Sequence, residues 1–245
     1  TIGEETKQAA YLSGTGTSAL TFRYTVESGL SDNDGITVGA LSLNGGTLKD
    51  TAGNDLNTTL NSVGATTGVL VDSDPPTVSS VEVPLDDTYA AENDLDFIVN
   101  TSEDVNVVTT SGTPSIAITI GEETKQAAYL SGTGTSRLTF QYTVESGLSD
   151  NDGITVGDLT LNGGTLKDTA GNDLNTTLNS VGATGAVLVD SDPPTVSSVE
   201  LPSDGTYAAG DNLEFIVNTS DDVNVVTSSG TPSIAITIGE ETKQA

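Results

Sequence analysis

The segment TIGEETKQAAYLSGTGTS begins at Thr1 and returns at Thr119, and TIGEETKQA returns again at Thr237. Both offsets are 118 residues (119 − 1 and 237 − 119), and neither needs a gap. Over the first full period 15 of the 118 positions differ, so adjacent copies are about 87% identical. A period of this length is the size of a domain that buries its own core, whereas the units of a solenoid are several-fold shorter. The repeat therefore prescribes an array of globular domains, since whatever folds once must fold again one period later.

The strongest breaker in the period is Val71-Asp72-Ser73-Asp74-Pro75-Pro76, repeated as Val189-Asp190-Ser191-Asp192-Pro193-Pro194. Two consecutive prolines remove two backbone donors and hold the preceding residue extended, which suits a short, stiff joint. The expected domains are then the later part of one repeat in 1–74, a complete repeat in 75–192, and the opening part of the next in 193–245. The arithmetic 245 = 2 × 118 + 9 makes the two partial pieces overlap by nine residues. Together they hold a whole repeat's strands, so pairing within one chain, or tail to head between chains, is a second organisation that the sequence allows.

Alternation with period two dominates, and no long stretch keeps a helical period. Leu138, Phe140, Tyr142 and Val144 share one face of a strand, as do Leu95, Phe97 and Val99, and Ile116, Ile118 and Ile120. Further strands are expected at 78–83, 105–109, 126–130 and 186–189, with a phase slip at Gly157 and Asp158 that reads as a bulge. Turns fall at Ser111-Gly112-Thr113-Pro114, Ser131-Gly132-Thr133-Gly134 and Asn162-Gly163-Gly164. Seven to nine short strands in about 118 residues predict an all-β, antiparallel sandwich. The copies test the faces: Ala19 becomes Arg137, Arg23 becomes Gln141, and Asp96 becomes Glu214, all on the outward parity, while Val83 becomes Leu201, apolar for apolar.

The chain carries 7 Lys+Arg against 35 Asp+Glu, a net charge of −28, and has no His, Cys, Met or Trp. That excludes disulfides, thiolate chemistry and imidazole bases or ligands, and the charge disfavours nucleic acid and anionic membranes while it concentrates divalent cations. No run of 18 apolar residues is present that would span a membrane. No acid pair stands out as catalytic, so no enzyme is expected. A hard cation such as Ca2+ takes six to eight oxygens. The linker acids Asp72, Asp74, Asp190 and Asp192 are the leading candidates, because two carboxylates beside a rigid joint repel one another unless a cation bridges them. Weaker candidates are Glu103 and Asp104, and Asp32, Asp34, Asp150 and Asp152 of the Asp-Asn-Asp-Gly loops. For those loops, carboxylates capping their own turns are the competing explanation. A further turn carries Asp50, Asn54 and Asp55, matched by Asp168, Asn172 and Asp173. The complete twelve-residue calcium hand is absent.

The strand Leu138 to Val144, the Leu161-Asn162-Gly163-Gly164-Thr165-Leu166-Lys167-Asp168 turn, the Ala170-Gly171-Asn172-Asp173 segment and the Asp190-Ser191-Asp192-Pro193-Pro194 linker together resemble the bacterial Ig-like tandem repeats of large secreted surface adhesins and swimming-motility-associated surface proteins. The resemblance covers the whole chain. It implies tandem Ig-like, Greek-key sandwich domains that act as a non-catalytic extracellular stalk. Such a stalk carries a distal binding domain away from the cell, and Ca2+ at Asp72, Asp74, Asp190 and Asp192 stiffens its joints. Neighbouring repeats of the same polypeptide are the implied partners. A carbohydrate- or cell-binding module for surface glycans, and a self-associating filament subunit, are the alternatives.

Overall fold

The computed structural model describes residues 1–239 and the backbone of 241–244, and it divides into two units, Thr1–Asp190 and Ser191–Ala245. Among the described residues there is no helix. Within the first unit, residues 1–74 form two small antiparallel ladders. Strand β1 (Ala10–Ser13) pairs with β2 (Thr21–Arg23), and β3 (Ser31–Asp32) pairs with β4 (Val71–Asp72).

Residues 75–190 are far more fully built. In chain order they hold β5 (Val78–Glu82), β6 (Asp87–Tyr89), β7 (Asp94–Val108), β8 (Ser115–Ile120), β9 (Glu123–Ser131), β10 (Thr135–Thr143), β11 (Ser149–Asp150), β12 (Thr155–Thr160), β13 (Thr165–Lys167) and β14 (Val187–Asp190). A curled seven-stranded sheet runs β12-β8-β9-β10-β7-β13, with β5 also on β7. A three-stranded sheet runs β11-β14-β6, and its β14–β6 ladder is parallel where every other ladder among the described residues is antiparallel. The two sheets enclose one core. Leu95, Phe97, Val99, Ile116, Ile118, Leu138 and Phe140 from the large sheet and Val187 from the small one are completely buried, with Val189 and Val144 almost so. Each of these faces follows the alternation in the sequence, because successive side chains of a strand point to opposite sides. The phase slip expected at Gly157 and Asp158 is a register break between Val156 and Leu159 of β12.

One strand departs from expectation. The runs 95–99 and 105–109 were expected as separate strands, but they belong to the single 15-residue strand β7. Against β10 its register jumps from Asn100↔Arg137 to Val105↔Thr135, five residues against two, so three extra residues bulge out. The bulge spans Thr101 to Asp104. Its backbone is tied locally, with the Thr101 hydroxyl donating to the Glu103 carbonyl at 2.6 Å.

The chain enters and leaves residues 75–190 at two separated places along β7, the bulge in its middle and its Asp94 end. On entry, the Ser102 amide donates to the Thr77 carbonyl at 2.8 Å, and the Thr77 amide donates to the Ser102 hydroxyl at 3.0 Å. On exit, Val189 pairs with Tyr89, which a tight turn closed by Asn93 N–H to Ala90 C=O joins to the Asp94 end of β7. Eight residues of strand (102 − 94) separate the two places, roughly 26 Å at the usual rise.

The second unit repeats the entry. Strand β15 (Val196–Glu200) pairs with β16 (Ile216–Thr219), and β17 (Ala235–Ile238) pairs with β18 (Glu241–Gln244). Its Thr195 and Ser220 exchange the same two hydrogen bonds as Thr77 and Ser102, at 2.9 and 2.8 Å.

A candidate cation site at the repeat joint

Three carboxylates from separate parts of the chain meet beside the joint: Asp72 at the end of β4, Glu103 on the bulge of β7, and Asp168 just after β13. One oxygen from each lies within 4.8 Å of the others. Asp72 is exposed, Glu103 half-buried and Asp168 buried. Oxygens bound to one Ca2+ at about 2.4 Å can be at most about 4.8 Å apart, so the donor set fits that ion by both chemistry and spacing. Three carboxylates supply about half of the oxygens such an ion takes, which leaves the remainder to water.

Asp168 is held by its own turn. Its Oδ1 accepts the Gly171 and Asn172 amides at 2.6 and 2.8 Å, and its Oδ2 accepts Asn172 Nδ2 at 2.7 Å. The other Asn172 Nδ2 proton goes to the Asp72 carbonyl at 3.2 Å, so one side chain ties the buried carboxylate to the incoming linker. The turn forms from local sequence alone: Asp50 accepts the Asn54 amide and Asn54 Nδ2, both at 2.8 Å, one period earlier.

The electrostatics differ between the members. Burial pushes the Glu103 carboxyl above its ordinary value, and the negative charges of Asp72, Asp168 and Asp74 push it the same way. Burial also raises Asp168, but the hydrogen bonds from Asn172, Gly171 and Ala170 outweigh it and hold that carboxyl below its ordinary value. The Asp168 carboxylate is therefore stabilised by the fold, and the Glu103 carboxylate is destabilised by its burial and by its neighbours.

The sequence candidates separate accordingly. Asp72 and Glu103 come together, Asp74 lies close enough to repel Glu103, and exposed Asp104 is outside the cluster. Asp32 and Asp150 are buried, but their oxygens serve the backbone. The Gly121 and Gly153 amides donate to Asp150 at 2.7 and 2.8 Å, and the Gly3 and Gly35 amides donate to Asp32 at 2.7 and 2.8 Å. The Gly35 and Gly153 contacts cap the Asp-Asn-Asp-Gly turns themselves, the Gly3 and Gly121 contacts tie each loop to a turn 29 residues earlier, and the bonds from Gly3 and Gly35 hold the Asp32 carboxyl below its ordinary value. Asp34 and Asp152 beside them are exposed, as are Asp190 in the first unit and Asp192 in the second. Asp221 occupies the Glu103 position of the next repeat, just beyond the end of β16, where Thr219 Oγ1 donates to its carbonyl at 2.7 Å. Asp168 had a signal in the sequence: it belongs to a repeated acidic turn, yet only the fold carries that turn to the linker. Lys167, next to it, pairs instead with Asp173.

No family model matches the chain, and neither does any curated protein or solved structure.

Proposed function

We propose that the chain is a non-catalytic stalk module of a large bacterial surface adhesin, built from tandem Ig-like sandwich repeats and working outside the cell. The observation that carries this reading is the path of the backbone through residues 75–190, which enters beside Ser102, on the bulge in the middle of β7, and leaves at the Asp94 end. A domain threaded in this way adds its length to the array each time it is copied. Near-identity of the copies supports the same reading, since a spacer needs repetition while a recognition surface gains from variety. Phe97 and Phe140 lie in the core and are not laid out as platforms for sugar rings.

Calcium enters the proposal at the joint. Asp72, Glu103 and Asp168 would hold one ion, which would cancel the repulsion on Glu103 and clamp the linker to the bulge. Asp74 would add charge at its edge.

The test is small-angle scattering and calorimetry of the 245-residue chain in Ca2+ and in chelator. The expected result is a longer maximum dimension and a higher Tm in Ca2+. At a free Ca2+ concentration 100-fold above Kd the gain is about 2.7 kcal/mol. Equal Tm in both conditions would remove calcium from the reading, and a compact particle in both would remove the stalk.

A further inference from the structure

The Asp-Ser-Asp-Pro-Pro linker between residues 1–74 and 75–190 is gripped from both sides. On the near side Ser73 is held by the loop that leads into β3. Its amide donates to the Leu30 carbonyl at 3.0 Å, while its hydroxyl accepts the Leu30 amide at 2.8 Å and donates to the Glu27 carbonyl at 2.7 Å. On the far side the carbonyl of the buried Pro76 accepts the Asn175 amide at 2.9 Å, and Thr77 and Ser102 exchange the two bonds described above.

Only Asp74 and Pro75 stand between these anchors, and neither is free to turn. The rings of Pro75 and Pro76 fix φ, and Asp74 and Pro75, each preceding a proline, are confined to extended geometry. The Asp74 amide is also drawn to Asp72 Oδ1 at 3.3 Å.

A further hydrogen bond crosses the linker altogether. Asn172 Nδ2, in 75–190, reaches behind both anchors to the Asp72 carbonyl at 3.2 Å, 100 residues away in sequence. The same side chain is held by Asp168 Oδ2 at 2.7 Å, so the donor is fixed before it meets the linker. The ladder that carries the near anchor is a standing part of the repeat. Ser31↔Asp72 and Asp32↔Val71 of β3–β4 recur one period later as Ser149↔Asp190 and Asp150↔Val189 of β11–β14.

We propose that Ser73 and Asn172 form a lock that fixes the angle between residues 1–74 and 75–190 without any ion. A bend within the linker must force Asp74 or Pro75 out of the geometry that the prolines impose. A bend nearer Asp72 must break the bonds of the Ser73 hydroxyl and part Asn172 from the Asp72 carbonyl. The carboxylates of Asp72, Glu103 and Asp168 repel one another, and these hydrogen bonds act against that repulsion. A cation there would add to the lock and is not needed for it. The lock does not rest on the stalk reading or on calcium.

With no cysteine in the chain, introduced pairs carry spin labels at chosen positions. Asn33→Cys with Thr110→Cys spans the joint, and Asp158→Cys with Thr110→Cys lies within 75–190; all three positions are exposed. Distance distributions are recorded by pulsed electron paramagnetic resonance in chelator. Removing both side chains, as Ser73→Ala/Asn172→Ala, is expected to raise the population of bent joints roughly ten-fold and so to widen the distribution across the joint. The pair within 75–190 is expected to keep its width. Pro75→Gly, which frees the linker torsions, is expected to widen the distribution across the joint as well. An unchanged width across the joint in the Ser73→Ala/Asn172→Ala chain overturns the lock, and so does equal widening of both pairs, which would mean unfolding. An unsubstituted joint that is as wide as the variant in chelator and narrows only on adding Ca2+ also overturns it, and leaves the ion as the stiffening element. A joint that is narrow in chelator and indifferent to Ca2+ upholds the lock and removes the ion from that role.

Discussion

Two acids a few ångströms apart at the joint respond to mutation in opposite ways. Asp168 accepts three partly buried hydrogen bonds, so Asp168→Ala leaves their donors without this partner and is expected to cost about 1 kcal/mol in chemical denaturation. Its carboxyl lies below the ordinary 3.8, so this stability is present above that pH and is lost as the pH falls through the lower, folded-state value. Glu103 has the opposite sign. Its carboxyl lies above the ordinary 4.5, so the folded state binds the proton more tightly than the unfolded state. The resulting penalty develops as the pH rises from 4.5 through the folded-state value and persists above it. Glu103→Gln is therefore expected to raise stability by about 0.5 kcal/mol at neutral pH in chelator, and to have no effect well below pH 4.5. In Ca2+ the same substitution is expected to destabilise, and a gain in both conditions would count against a shared ion. Composition made the acids visible but could not sort them. Asp150 and Asp168 both accept backbone amides, and what separates them is place: Asp168 lies beside Asp72 and Glu103 because β13 ends there.

At the scale of the element, the alternating faces of β7, β8 and β10 were legible because a half-buried strand must place its apolar residues two apart. The bulge in β7 was not. Thr101 to Asp104 are polar and read as a break between strands, and only the pairing with β10 on either side makes them an insertion within one. That insertion positions Glu103, as bulges often do for functional side chains. The turn between β9 and β10 is more tightly specified. Gly132 has φ of +108°, and a Cβ there would lie 2.1 Å from the Arg137 carbonyl oxygen. One period earlier Gly14 has φ of +109° and would meet the Ala19 carbonyl oxygen at 2.0 Å. Gly132→Ala is thus expected to cost more than about 1 kcal/mol in equilibrium unfolding, through both backbone strain and the clash. A cost near zero would mean that the turn relaxes without disturbing the ladder.

For the whole molecule, the repeat arithmetic dictates that whatever folds once recurs one period later, but not the places at which residues 75–190 are entered and left. That follows from β14 lying parallel to β6, a pairing between segments about 100 residues apart (187 − 87) that no local pattern encodes. It has a mechanical consequence. Tension applied through neighbouring joints pulls β5 and β6 toward one end and β14 toward the other, so the parallel β6–β14 ladder is loaded along its strands. Its pairs Val187↔Asp87, Leu188↔Thr88 and Val189↔Tyr89 must then yield together, where a hairpin pulled from its open end would unzip one bond at a time. In single-molecule pulling, Leu188→Pro, which removes a backbone donor from this ladder, is expected to lower the unfolding force of residues 75–190. An unchanged force would place the resisting element elsewhere. Pulled in this way, residues 75–190 are expected to behave as a shear clamp that holds until its one short parallel ladder slips.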